Sequence, residues 1–401
     1  MSRPTTKGFF VPERLLEARK ARDFTQREVA QRIGLEVSAL SKWETGQAAP
    51  EPATISHLST ALSVYPSYFS KPLPSHGQTP IFFRSLASAT KKARSREEAR
   101  VRWMQDISIE LQRYVSFPSV DIPDVMNGRH YSSLTTDDLE EIALALRKHW
   151  GLGESPIDNV VLLVENAGVI VGLDYANSGS IDGQGTWSDV DLRPYMLLAK
   201  DKDNAFRRAM DCAHELSHIV LHKDVTDEEL TTDFHVIEDQ AKFLAGALML
   251  PYTSFSNEIR SLSLDGFLEL KARWGVSVGA MIMRAVQTEI IGEETAKRLW
   301  KYRAARGWHR KEPLDLPEET PVPNPRLLHR SIDLVVTHKV RSKRDLLEQD
   351  FCLFADDVET LCSIPRNYFA EPSAQVHHLQ PTLKTTQGEP ASGNVVPFRK
   401  S

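Results

Sequence analysis

The sequence predicts an α+β protein, mostly α, in which an all-α N-terminal domain precedes a larger domain with a small β-sheet and a helical C-terminal region. Three observations predict it. Residues 8–70 are helix-rich with short loops. Beyond them, 169–173 and 194–199 read as strands set between helices at 157–167 and 204–222. Clusters of Pro, Gly and Ser at 71–77 and around 118–133 separate the two regions.

At 401 residues the chain exceeds one typical domain, leaving room for a binding module and an enzyme. The expected division is 8–70 as the first domain, 71–133 as linker and connecting helix, and 134–310 as the second domain. A small helical region follows at 311–370, then a disordered tail at 371–401 that lacks any sustained apolar period. The connecting helix spans about 90–114 and carries Lys91, Lys92, Arg94, Arg96, Arg100 and Arg102, which reads as a solvated charged face. Thr135 to Asp138 cap a helix running to about Trp150, and five prolines in 311–325 mark a loop.

Composition bounds the class. With 41% hydrophobic and 26% charged residues, the chain has ordinary globular usage, and no run of 18 apolar residues is present to span a bilayer. The N-terminus has no apolar stretch of signal-peptide length, so a cytoplasmic location is expected. Cys212, Cys352 and Cys362 are too scattered for a disulfide framework or a Cys-based zinc ribbon. The net charge of −5 argues against coating nucleic acid along the whole chain, but allows one DNA-reading face.

In the first domain, Thr25 and Glu28 form a capping-box pattern that opens a helix ending near Gly34. A short helix then starts at Val37. Leu40 and Trp43, spaced i, i+3, pack inward while Val37, Ser38, Ser41 and Lys42 stay outward. Helix, glycine turn, short helix is the geometry that sets a second helix into a major groove. The run Thr25-Gln26, Val29-Ala30, Gly34, Ser38, Leu40 to Gly46 and Pro50 resembles the Cro/repressor-type (XRE) helix-turn-helix family. The resemblance implies that Gln26 touches a phosphate and that Val37, Ser38, Ser41 and Lys42 face base edges of a double-stranded operator. Lys42 suits guanine O6/N7 and Val37 a thymine methyl. Because single modules bind short sites weakly, a homodimer is expected.

In the second domain, His214-Glu215-Leu216-Ser217-His218 places two imidazoles one helical turn apart on one face, able to meet one zinc ion at about 2.0–2.1 Å. Glu215 lies about 100° further round the helix, beside the metal, where it can take a proton from a zinc-bound water. Ala209, Cys212, Ala213, Leu216 and Val220 form the opposite, core-facing side. A third ligand is needed. His222 is a poor one, since eight residues of helix rise about 12 Å from His214. Glu238 is better: it starts a helical run beside an apolar stripe of Ala241, Ala245 and Leu248, where a bare carboxylate needs compensation.

The segments from Arg207 to His222 and Ile237 to Pro251, with Trp274 to Ala285, resemble the ImmA/IrrE family of zinc metallopeptidases over roughly 140–310. The resemblance implies a zincin-like fold with Zn2+ on His214, His218 and Glu238 and with Glu215 as catalytic acid/base. It also implies an endopeptidase of the HExxH type that cleaves a partner repressor and so derepresses stress or mobile-element genes. Two departures, Ser217 where the family usually has Gly and Met210 where an aromatic is common, leave the packing behind the site open. Tyr195, His235 and Tyr252 are candidates for the oxyanion stabiliser. The rival expectation is a non-proteolytic or antitoxin-like regulator whose peptidase-like domain is a sensor or dimerisation unit. An intact Glu215 favours the enzyme, because a sensor has no need of a general base.

Overall fold

Alternating side chains on one small sheet feed two separate hydrophobic cores. The computed structural model describes residues 10–77, 80–83, 90–175, 183–201 and 203–370. The chain through Phe369 is one compact unit; the tail expected at 371–401 lies outside the described residues.

Helices α1 (Pro12–Ala21), α2 (Gln26–Ile33), α3 (Val37–Glu44) and α4 (Pro52–Leu62) form the N-terminal bundle. The Thr25/Glu28 capping box is made in both directions, and Gly34 ends α2 at φ +70°, which is why a residue without Cβ stands at the turn. After β1 (Phe82–Phe83) comes α5 (Lys91–Gln112), then α6 (Thr136–His149) and α7 (Val160–Asn166). A capping box of Thr135 and Asp138 starts α6 at the position the sequence marks.

Strands β2 (Ile170–Asp174), β3 (Gly183–Ser188) and β4 (Arg193–Ala199) complete a sheet in the order β1-β3-β4-β2. β2 runs parallel to β4, whereas β3 is antiparallel to β4, and β1 pairs antiparallel with the outer edge of β3. Only β2 and β4 were expected. The run Gly183-Gln-Gly lacks the β-branched and aromatic residues that identify strands, so the first half of β3 is set by its partners rather than by local preference.

One sheet face, through Val171, Leu173, Met196 and Leu198, joins the core built with α8 (Ala205–Leu221), α10 (Phe234–Met249), α11 (Tyr252–Glu258), α12 (Leu264–Trp274), α13 (Val278–Gln287) and α14 (Glu293–Ala305), while Leu230 of α9 (Asp227–Thr232) packs in a small cluster with Phe82, Tyr131, Val225 and Ile237. The other face, through Ile170, Tyr195 and Leu197, shares a core with the N-terminal bundle, α5 and the C-terminal helices. These are α15 (Leu327–Thr337), α16 (Lys343–Asp345), which runs into a π-helical turn at Leu346–Phe351, and α17 (Ala355–Leu361). The continuous helical spacing of 341–369 is broken where Cys352 takes φ +59° and Leu353 bridges to Val64 of the bundle. Glu165 of α7 accepts from the backbone N–H groups of Arg326 and Leu327, tying the start of α15 to the larger core.

Helix α5 departs from the sequence expectation. Trp103, Met104, Ile107 and Leu111 are fully buried, and so are two of its arginines. Arg100 donates to both carboxylate oxygens of Asp174 at the end of β2, at 2.8 and 3.0 Å, and to Asp357 of α17 at 2.5 Å. Arg96 joins Asp174 at 3.1 Å, and Arg22 of the bundle chelates Asp357. Helical periodicity identifies a charged stripe but not the acids waiting for it in distant segments. α5 is thus a strut between bundle and sheet whose Arg96 and Arg100 are buried in ion pairs, while Lys91 and Lys92 at its start stay exposed as the sequence predicts.

Candidate metal centre

A spacing of four residues, about one helical turn, brings His214 and His218 together on α8, and the packing of α8 against α10 supplies Glu238. His214 Nε2 and His218 Nε2 lie 3.1 Å apart, Glu238 Oε1 is 3.2 Å from His218 Nε2, and Glu238 Oε2 is 3.7 Å from His214 Nε2. Two ligands of one tetrahedral zinc, each at about 2.0–2.1 Å, stand about 3.3 Å apart, so this donor set fits that ion. All three residues are buried, and among the described residues they are the group of this kind whose ligand atoms converge.

Glu215 stands outside this donor set, against the sheet. A Cβ built on Gly183 meets Glu215 Oε1 at 2.8 Å, and one on Gly185 meets the Glu215 carbonyl oxygen at 3.4 Å. The two glycines of β3 therefore let the sheet close over this carboxylate. Sequence reasoning missed them, although a Gly-x-Gly pair in a strand is a recognised sign of close approach. A methyl group at Gly183 would therefore stand against the Glu215 carboxylate and force one of the two to shift.

α8 is buried nearly all round, not on one face as expected, because the sheet and α10 flank it. Ser217 is accommodated there with its hydroxyl satisfied, donating to the Ala213 carbonyl at 2.8 Å inside the helix. A groove of about 1020 Å³ reaches His214, with Met210, Phe243, Trp300 and Trp308 among its walls. His218 is closed off on its other side, where Phe82 of β1 stacks on the imidazole at 4.8 Å between ring centroids and 8° between planes. His222 is fully buried outside the convergent group, and burial, aided by the neighbouring His218, keeps its pKa well below the usual histidine range. The oxyanion role is withdrawn from Tyr195, whose hydroxyl faces α5, with Ser108 at 3.1 Å and Asp191 at 2.6 Å, on the far side of the sheet. His235 and Tyr252 are exposed, on α10 and α11.

At the other end of the molecule, Val37, Ser38 and Lys42 are exposed along α3 and Ser41 is half-buried, while Leu40 and Trp43 face inward. Gln26 Nε2 donates to Glu44 Oε2 at 2.7 Å, and Arg19 holds the same carboxylate through two bonds, locking α1, α2 and α3 together.

Comparison with known families agrees with both ends. Residues 165–286, which contain His214, His218, Glu238 and Glu215, match the peptidase M78 family, described as an IrrE N-terminal-like domain. Residues 15–69, which contain α3, match a helix-turn-helix family. No match is found among curated proteins. Among the described residues, no helix is long and apolar enough to cross a membrane.

Proposed function

We propose that the chain is a cytoplasmic, DNA-bound transcriptional regulator that carries a zinc endopeptidase and acts by cleaving a partner repressor. What supports this most is the convergence of His214, His218 and Glu238 beside a buried Glu215, in the same folded unit as an exposed recognition helix. Zinc, when bound, lowers the pKa of a coordinated water toward about 7. Glu215 takes the proton from the attacking water and delivers it to the leaving nitrogen. The groove along α8 and α10, which reaches His214, receives an extended segment of the partner. We assign DNA reading to 8–70 and peptidase chemistry to 134–310, and expect the chain to bind its operator as a homodimer.

Two measurements test the assignment of residues. The protein is expected to carry about one zinc per chain, lost in His214→Ala, since two remaining donors do not hold the ion; equal metal content in both proteins would place the site elsewhere. On DNA, Lys42→Ala is expected to weaken operator binding by about 1–3 kcal/mol and to relax sequence preference at one position, whereas Gln26→Ala weakens all sequences alike. A binding-site selection that returns the same profile and the same affinity for both variants would overturn the role of α3.

One observation favours a second reading, a metal-dependent sensor without turnover. The N-terminal bundle shares its core with Ile170 and Leu197 of the sheet that covers α8, so metal occupancy has a packed route to the DNA-binding helices.

A further inference from the structure

His222 is the buried histidine that the site so far leaves without a task. It stands one helical turn beyond His218, fully buried, with one ring nitrogen toward His218 and the other toward α10. We propose that His222 is a positioning residue for His218: a hydrogen-bond relay from His218 through His222 and Gln240 to the Tyr131 carbonyl fixes the His218 tautomer whose bare Nε2 faces the metal. The inference rests on the zinc-site reading above.

The polarity of the relay follows from its fixed end. The Tyr131 carbonyl oxygen only accepts, so the group 2.8 Å from it is the Gln240 amide nitrogen. Gln240 Oε1 is then the atom 3.2 Å from His222 Nε2, and it accepts, so Nε2 carries the His222 proton. A neutral imidazole has one N–H, which leaves His222 Nδ1 as an acceptor. His218 Nδ1, 3.1 Å away, must donate to it. His218 Nε2 is therefore left with its lone pair, 3.1 Å from His214 Nε2 and 3.2 Å from Glu238 Oε1, at the point where the donors converge.

Reversing the relay fails at its end, because a flipped Gln240 sets its amide oxygen against the Tyr131 carbonyl oxygen. The rings are also held in orientation. Phe82 lies flat on His218, and Tyr131 meets His222 edge-on at 5.9 Å and 73°. With His218 and His222 fully buried, bulk water has no access to replace the bond between them. Partners of this kind orient a ligating histidine and raise its basicity, and losing one typically weakens metal binding about 10- to 100-fold.

The test uses the full-length protein and zinc alone, with affinity measured by competition against a chromophoric chelator and ring orientation by the visible spectrum of the cobalt-substituted form. His222→Leu and His222→Asn share the same γ-branched side-chain skeleton, but only Asn places an acceptor oxygen where Nδ1 stood. We expect Leu to weaken zinc binding about 10- to 100-fold and to alter the cobalt spectrum, and Asn to recover most of both. Gln240→Leu, which strips the acceptor from His222 Nε2 without touching His218, is expected to weaken zinc in the same direction. Circular dichroism and the urea midpoint of each variant report that the chain has folded. Leu and Asn variants that are equally weak would reduce His222 to a space-filling residue and overturn the proposal. Variants that all bind zinc like the unmodified protein would overturn it too, while leaving the zinc site standing. Failure of the unmodified protein to bind zinc would instead overturn the site reading on which the proposal rests.

Discussion

Glu215→Gln is expected to lower cleavage of the partner by about 10²- to 10⁴-fold while leaving zinc content, folding and operator binding in place. The expectation comes from position. Glu215 sits on α8 between the two histidine ligands in sequence, yet its carboxylate faces Gly183 of β3 and is absent from the convergent donor set. Gln keeps the shape and one acceptor oxygen but does not take up a proton at neutral pH. Glu238→Gln should behave differently, losing zinc and, with it, the stabilisation that a bound metal confers by mass action. A partner-cleavage blot run beside a promoter reporter measures both effects. Normal induction by Glu215→Gln, with no cleavage in either protein, would sink the enzyme and leave the metal-dependent sensor.

Arg100→Met is expected to destabilise the folded unit by about 3–5 kcal/mol, read as a fall in the urea midpoint. Met retains an unbranched apolar stem beside Trp103, over whose ring the guanidinium lies at 5.1 Å, so packing changes little. What is lost is charge. Asp174 and Asp357 are both buried, and although burial raises the Asp357 carboxyl, Arg100 and Arg22 outweigh it and hold its pKa below the usual range. Removing Arg100 leaves Asp174 with Arg96 and Asp357 with Arg22, each buried carboxylate short of one cation. Because these acids lie at the end of β2 and on α17, the loss falls on the junction between bundle, sheet and C-terminal helices. The sensor reading predicts a further effect, a weakening of the dependence of operator binding on zinc. A change below about 1 kcal/mol would mean that the cluster contributes no more than exposed surface ion pairs do.

Short-range chemistry was legible in the sequence. The His214/His218 spacing, the Thr25 and Thr135 caps, the glycine turn at Gly34 and the inward Leu40 and Trp43 each depend on residues within one or two helical turns, and helical geometry fixes what neighbours at that range do. Glu238 was legible as a buried acid seeking compensation, though its meeting with His214 and His218 required α8 and α10 to pack side by side. Other features needed the whole fold. Gly183 and Gly185 form a strand only because β4 and β1 pair with them, and their bareness acquires meaning only once Glu215 lies beneath. Tyr195 left the site because strand alternation turned it to the α5 face. The arginines of α5 looked like a solvated stripe, because their partners, Asp174 and Asp357, stand 74 and 257 residues from Arg100. Periodicity records how polar a face is. Which distant group neutralises that face is settled by tertiary packing, where leaving a buried charge unpaired costs more than most local preferences are worth.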